Sequence, residues 1–527
     1  MQVIFCYMRK LLTILVALYA IISASAQPKL AVNIIVGGMS ASDIDRYAEN
    51  LSNDGFLRLK FGGTTFTECY TEFIPTSPEV AIATVATGSL PSMHGISSNR
   101  WFDRTSGNTP VSLCLNFKGR YTTEHFTIPT LAQTLQSSDS GAVIATIAHN
   151  YSSAMTLAGK GGECYWIDTL GNWTTAQSYL QQLPEWVVKL NENGINRTHV
   201  TGNWFGKLAK SKYLNKDATD IKIYDIYGKA LSLFSKKPSA EWVAELKSTP
   251  AGNKALFDFA KKTLEQMMAD KKNNSCRMLN ICLDVPRAVA EKYGPNSTEY
   301  EDMLYYLDAD LAEFLQHIDT LYPNGKNYLI TLTSDSGMGN KYVEDNPNLD
   351  LFNPRQTAAI LNAFLSAQYG QGSWVLECSN GAIYLNRDLI YAKRLSVAQI
   401  QNEAATFALQ FRGVANAATA TTLQGGAMSS NTSRLMQNSF HPRRSGDILY
   451  CLQPDFYELD EGKVAKSGSP YNYNRHIPLI FYGNGIATNE IDRTISSTAI
   501  AVTTAYLLGI SRPDCADGEL IYELKKR

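Results

Sequence analysis

Residues 74–104 read IPTSPEVAIATVATGSLPSMHGISSNRWFDR, a run of small apolar residues that gives way to a glycine-punctuated loop. Ser77 stands where a helix N-cap is wanted, Pro78 suits the first helical position, and Glu79 sets an acid against the positive end. The spacing predicts a helix from Ser77 to Gly88. The N-terminus of such a helix is a ready site for an anion.

Working outward, KLAVNIIVGGM (29–39) is short, β-branched and closed by two glycines, the pattern of a buried strand that delivers a loop to the carboxyl edge of a sheet. A helix is predicted over Ala41–Asn53, and GFLRLKFGGTTFTECYTEF (55–73) reads as a turn with an extended pair. Further buried strands are read in GAVIATIA (141–148), MLNICLD (278–284), NYLITLTSDSG (327–337) and HIPLIFYGNG (476–485). Met303, Leu307, Leu311 and Leu315 form one stripe of a helix over 299–321, and STAIAVTTAYLLGI (497–510) is read as an amphipathic helix. Strands alternating with helices imply an α/β/α sandwich around a mainly parallel sheet. The Trp-, Tyr- and Lys-rich stretch at about 165–277 is expected to form a cap insertion, and 352–460 a second one. There is no internal repeat, heptad array or glycine-rich Rossmann or P-loop motif.

A chain of 527 residues is long for one core, so a large domain over 27–527 with these insertions is expected. Arg9 and Lys10 precede the apolar run Leu11–Ile22, and Ala24, Ser25 and Ala26 supply small residues before Gln27. Residues 1–26 are therefore read as a secretory signal peptide, with no transmembrane segment after cleavage and an exported, periplasmic, outer-surface or secreted product. Cleavage takes away two cations and no acid, moving the formal charge from −1 to −3, which gives no long-range reason to bind nucleic acid. Of nine cysteines Cys6 leaves with the signal; an even set in an exported protein permits disulfides, and buried free thiols are the other reading.

The opening stretch resembles the nucleophile helix and loop of the alkaline phosphatase superfamily, in the branch of threonine-type bacterial alkaline phosphatases and type I phosphodiesterase/nucleotide pyrophosphatases. That branch reads roughly PTxTxPxHxxxxTGxxPxxHGIxxNxW(Y/F)DR, and this chain keeps PT, ATG, the Pro of SLP, HGI and NRWFDR. NGAIYLNRDLI (380–390) and NSFHPRRSGDILYCLQPDFYELD (438–460) resemble further stretches of the same phosphatases, so the likeness runs from Leu30 to about Leu524. It implies a site with two zinc ions held by Asp and His at the strand ends, activating a threonine for in-line phosphoryl transfer.

Carried over position by position, that site is depleted. The zinc-ligand Asp of the first strand falls at Gly37; the DxxxH pair falls at Arg287 and Glu291 in VPRAVAEKYGPNS; TADHG becomes TSDSG, keeping Asp335 and placing Ser336 at the His; the last His falls at Ser467. Asp335 is the single retained ligand, so no zinc or other cofactor is expected. Without gaps the nucleophile falls at Pro78; a two-residue insertion would let Thr76 or Ser77 take the role. The phosphate-clamping Lys and Arg fall at Asn150 and Ser152, and Asn99 alone matches a substrate-contacting residue, or else closes a loop beside Trp101. Arg287 is expected to pair with Glu291 one turn on, and to place its cation near Asp335 where zinc sits in the family. His94, His149, His317, His441 and His476 have no metal spacing, and PRRSGD (442–447) is read as a structural turn.

The expectation is thus an exported, catalytically degenerate phosphatase-like protein acting by binding a ligand or protein partner that nothing in the sequence names. Two alternatives stand beside it: an active phosphomonoesterase or phosphodiesterase using Thr76 with an atypical metal set, and a structural subunit of a cell-envelope assembly.

Overall fold

A computed structural model describes residues 27–103, 108–194, 204–215, 240–269, 274–323, 327–340, 350–426 and 428–525. The signal peptide read over 1–26 lies outside these residues. The chain folds around a ten-stranded sheet. Its strands are β1 (Leu30–Val36), β2 (Thr64–Tyr70), β3 (Val143–Ala148), β4 (Glu163–Ile167), β5 (Trp173–Thr174), β6 (Arg277–Leu283), β7 (Tyr328–Thr333), β8 (His476–Gly483), β9 (Asn489–Ile491) and β10 (Ile495–Ser496). The order is β9-β2-β8-β7-β1-β6-β3-β4-β5, with β10 beside β2. β1 lies at the centre, parallel to β6 and β7, and β3 and β4 continue the parallel run; β8 is antiparallel to both its neighbours.

β1 is apolar at nearly every position because both faces are covered. Leu30, Val32, Ile34 and Val36 face one side, in a core with Leu256, Phe257 and Phe314 of two long helices, α4 (Pro250–Met267) and α6 (Thr298–Leu321). Ile35 faces the other side, toward α2 (Pro78–Thr87), α3 (Tyr151–Ala158) and α7 (Ala499–Leu508). α7 is buried over nearly its whole surface, not on a single stripe as an amphipathic helix would be. The mainly parallel, two-faced sandwich agrees with the sequence expectation.

Three local readings are corrected. Residues 55–73 hold one helix, α1 (Phe56–Gly62), and one strand: Phe56, Leu57 and Leu59 lie on a buried helical face, and the Gly62-Gly63 pair breaks it. The helix read over Ala41–Asn53 is a single turn at Asp43–Tyr47 followed by a 3₁₀ turn. The cap drawn at 165–277 starts inside β4, a strand of the sheet, and includes α4, which belongs to the main core. By contrast 352–460 builds its own four-stranded antiparallel sheet from Val375–Ser379, Ala382–Leu385, Ile448–Leu452 and Val414–Thr419, packed over Leu361, Trp374 and Ile400. Within its PRRSGD turn, buried Asp447 accepts from Leu385 N at 2.9 Å, Arg387 Nε at 2.7 Å and Gln401 Nε2 at 2.9 Å. All eight described cysteines are free thiols.

The entry to α1 depends on one carboxylate. Asp308 of α6 is 2% exposed and accepts from Ser52 N at 2.7 Å and Phe56 N at 2.8 Å. A Cβ at Gly55 would lie 2.1 Å from its Oδ1, so only glycine fits there. Asp308→Ala should leave two N–H groups without their acceptor and lower stability in urea unfolding by about 2–4 kcal/mol, with Asp308→Asn recovering part of the loss.

Candidate functional site

At the carboxyl ends of β1, β6 and β7 the chain makes three turns that meet on one side chain. Arg287 lies in the first turn of α5 (Val285–Tyr293), which begins right after β6, and is 7% exposed. Its Nη2 is 2.7 Å from Asp335 Oδ1 and donates to Ser336 Oγ at 2.8 Å, while Nη1 donates to Ser467 Oγ at 3.0 Å. One guanidinium therefore binds the side chains at three of the resemblance-derived metal positions. Gly38 N adds a donor to Asp335 Oδ1 at 2.9 Å. Burial opposes the charged guanidinium, but the carboxylates of Asp335, Glu291 and Asp284 hold its pKa above the ordinary value.

Gly37 closes the same corner. A Cβ there would sit 3.0 Å from Leu283 O and 3.4 Å from Arg287 Cβ, so a longer side chain would be pushed into the arginine. Glu291 departs from expectation: its Oε2 pairs with Lys463 Nζ at 3.0 Å rather than with Arg287. Among the described residues, no three His, Cys, Asp or Glu side chains are grouped to hold a metal ion.

The helix read from residues 74–104 forms as α2, with Pro78 at its first position and Gly88 in the left-handed conformation at its end. Ser77 is the N-cap by backbone only; its Oγ makes no hydrogen bond, and neither does Oε2 of buried Glu79. Thr76 precedes the cap, half-buried between Gly381 and Gly468, with Oγ1 3.5 Å from Ser97 O. It shares a recess with Ser467, and so comes within one residue's reach of the arginine cluster. Asn99 is exposed and gives its carbonyl to Leu113 N at 2.9 Å; it borders neither recess that Thr76 lines. His94 and His476 are engaged in the scaffold: His94 Nε2 lies 3.1 Å from Thr84 Oγ1, and His476 Nε2 lies 2.6 Å from Thr67 O.

A second buried cluster adjoins the first. Asn150 and Ser152 open α3, whose first turn is tied to the end of β6 by Asp284: Oδ2 accepts from Asn150 N at 2.9 Å and Oδ1 from Ser153 Oγ at 2.6 Å. Lys247 reaches in to donate to Ile167 O at 2.8 Å and Asn150 Oδ1 at 3.3 Å, so a cation stands beside the position where the resemblance expected one. His149 takes Asp284 N on Nδ1 at 3.2 Å and contacts Gly252 O through Nε2 at 2.9 Å. Sequence reading missed Asp284, Lys247 and Lys463. Asp284 was legible as the acid ending a buried strand, whereas the two lysines come from distant segments and carried no local signal.

Two predictions follow from these clusters. Arg287→Met would leave Asp335 buried without its counter-ion and should lower stability in urea unfolding by roughly 3–5 kcal/mol, most of it regained in an Arg287→Met, Asp335→Leu double variant. Burial raises Asp284 to about 6 and lowers His149 to about 4. From about pH 4 to 6 folded Asp284 holds a proton that its unfolded form has lost, while folded His149 lacks one that its unfolded form holds, and the two slopes oppose each other. Asp284→Asn removes one side of that balance. Its stability should fall more steeply than the parent's between pH 6.5 and 4, by an extra amount on the order of 2–3 kcal/mol, read from denaturant midpoints across pH.

Comparison with known proteins places this geometry. Alkaline phosphatase PafA from Elizabethkingia meningoseptica is 25% identical over 525 residues, covering 95% of each chain, and a protein named calcium-transporting ATPase from Myroides odoratus is 26% identical over 529 residues, covering 94% of each. The crystal structure of wild-type PafA superposes with a TM-score of 0.84 at 22% identity, over 95% of this chain and 99% of that one. Murine ectonucleotide pyrophosphatase/phosphodiesterase 5 has a TM-score of 0.56 at 14% identity, over 94% and 98%. The family profile of type I phosphodiesterase/nucleotide pyrophosphatase matches residues 31–465. With strand order, helix and loop all in place around the arginine corner, the chain belongs to the type I phosphodiesterase/nucleotide pyrophosphatase family, within the alkaline phosphatase superfamily.

Proposed function

We propose that this protein is an exported family member that works by binding, not by zinc-dependent ester hydrolysis. The observation that carries the reading is the arginine corner. Two zinc ions need about six carboxylate and imidazole donors converging on one cleft. Here the corresponding side chains are a glycine, two serines, an arginine and a glutamate turned to Lys463, and the one aspartate is already paired at 2.7 Å. A cation at the ion's place and hydroxyls bound to it are a donor set that does not fit zinc, and no reaction step is assigned to the metal. Thr76 has a hydroxyl at the cleft, but among the described residues its Oγ1 hydrogen-bonds only to the Ser97 carbonyl, which takes no proton at neutral pH.

Export rests on the basic and apolar pattern of residues 1–26, and no helix among the described residues is long and apolar enough to cross a membrane. The relatives' names favour a second reading, a phosphomonoesterase or phosphodiesterase with Thr76 as nucleophile. One preparation separates the two. The purified protein, loaded with zinc and desalted, should retain no stoichiometric metal by mass spectrometry and should not turn over p-nitrophenyl phosphate or bis-p-nitrophenyl phosphate. Retained zinc with turnover abolished by Thr76→Ala would establish the hydrolase and end the binding proposal.

A further inference from the structure

The middle of the sheet carries a row of polar side chains inside strands that are otherwise apolar. Thr146 of β3, Asn280 of β6, Asn33 of β1 and Thr331 of β7 stand side by side at one register. Neighbours in register point to the same face of a sheet, here the face covered by α2, α3 and α7. Part of the row satisfies itself: Asn33 Nδ2 donates to Asn280 Oδ1 at 2.8 Å, and Asn280 Nδ2 donates to Thr146 Oγ1 at 3.2 Å. The chain of bonds ends before Thr331. Among the described residues its Oγ1 has no hydrogen-bond partner, and neither has Oγ1 of Thr333, two residues on along the same face of β7.

Thr504 of α7 is in the same condition. A helical threonine can turn its hydroxyl to the carbonyl four residues back, as Thr84, Thr87, Thr134 and Thr263 do here at 2.7–3.1 Å. The Thr504 hydroxyl makes no such bond. Thr331, Thr333 and Thr504 are 2%, 1% and 0% exposed, so bulk water reaches none of them. All three line one internal cavity of about 20 Å³, together with Asn33 and with apolar walls that include Val85, Leu157 and Ile500. The cavity explains why Asn33 keeps accessible surface although it lies at the centre of the central strand.

Size and chemistry select the occupant. A water molecule needs roughly 10–15 Å³, so the cavity has room for one or two and for no organic ligand. A bare metal cation would fit the volume, but every lining side chain is neutral, so its charge would be buried without a counter-charge and the hydroxyl protons would still lack acceptors. Water both donates and accepts, and polar cavities hold it through two to four partners.

We infer that a structural water is bound between β7 and α7, held by the hydroxyls of Thr331, Thr333 and Thr504 with Asn33 Oδ1 as a further acceptor. It carries the polar row of the sheet across to the helix layer and gives the apolar α7 a directional tie to the strands. This site belongs to the scaffold and is independent of whether the cleft binds or hydrolyses.

A crystal structure of the intact mature protein, at a resolution that shows ordered solvent, should place a water oxygen about 2.7–3.2 Å from at least two of the three hydroxyls. Hydroxyls turned onto backbone carbonyls around an empty cavity, or a peak coordinated as a metal ion, would overturn the assignment. The sign of a stability change gives a second reading. Thr504→Val keeps the side-chain shape and deletes one hydroxyl; a bound water would then lose a partner, and the urea midpoint should fall. A midpoint that stays or rises would mean that the hydroxyl stood uncompensated in dry space, and would reject the site. Thr331→Val combined with Thr504→Val should lower the midpoint by less than the sum of the two single shifts, because either change already loosens the water they share. Strict additivity would show that they share none.

Discussion

The structure depends on keeping charge neutral at the carboxyl edge of a parallel sheet, where several strands end and their loops crowd together with little water between them. A carboxylate there must have a partner, because an isolated buried charge is expensive to hold. Arg287 meets that requirement for Asp335 at 2.7 Å and engages Ser336 and Ser467 with its remaining donors. The positions around it are fitted to the guanidinium: a side chain at Gly37 would crowd Leu283 O and Arg287, and Gly38 adds a backbone donor to the same carboxylate oxygen.

Around this corner the charge is arranged in pairs that each settle a local demand. Asp284 ties α3 to β6, Glu291 is met by Lys463 from the segment leading to Ser467, and Lys247 brings a cation to Asn150 from far along the chain. The inserted sheet repeats the principle with Asp447 and Glu458, each accepting several hydrogen bonds from surrounding loops. The recess that Thr76 borders is thus framed by loops that these carboxylates hold in place.

How far the sequence was legible follows from what kind of contact each feature needs. Strands such as 30–36 and 277–283 were readable because a sheet covered on both faces demands an unbroken apolar run. The helix at 78–87 was readable because proline, a glycine end and small residues are local signals. The positions that the resemblance assigns to metal ligands could be compared one by one, and the arginine among them was visible. Its pairing with Asp335 was read from the sequence and is found at 2.7 Å; the partner of Glu291 was not. Glu291 lies one turn from Arg287 and looked like its partner, yet Lys463, 172 positions away, is the group that reaches it. Residues 56–62 looked extended until Phe56, Leu57 and Leu59 proved to share a buried helical face.

A guanidinium is covalently part of the chain and cannot diffuse away. Where an exchangeable ion would make the cohesion of this edge rise and fall with the ion's free concentration, a tethered arginine gives a cohesion that does not depend on that concentration. The tie that Arg287 makes between the ends of β6 and β7 therefore needs no ion to be drawn from solution and gives a chelator nothing to remove.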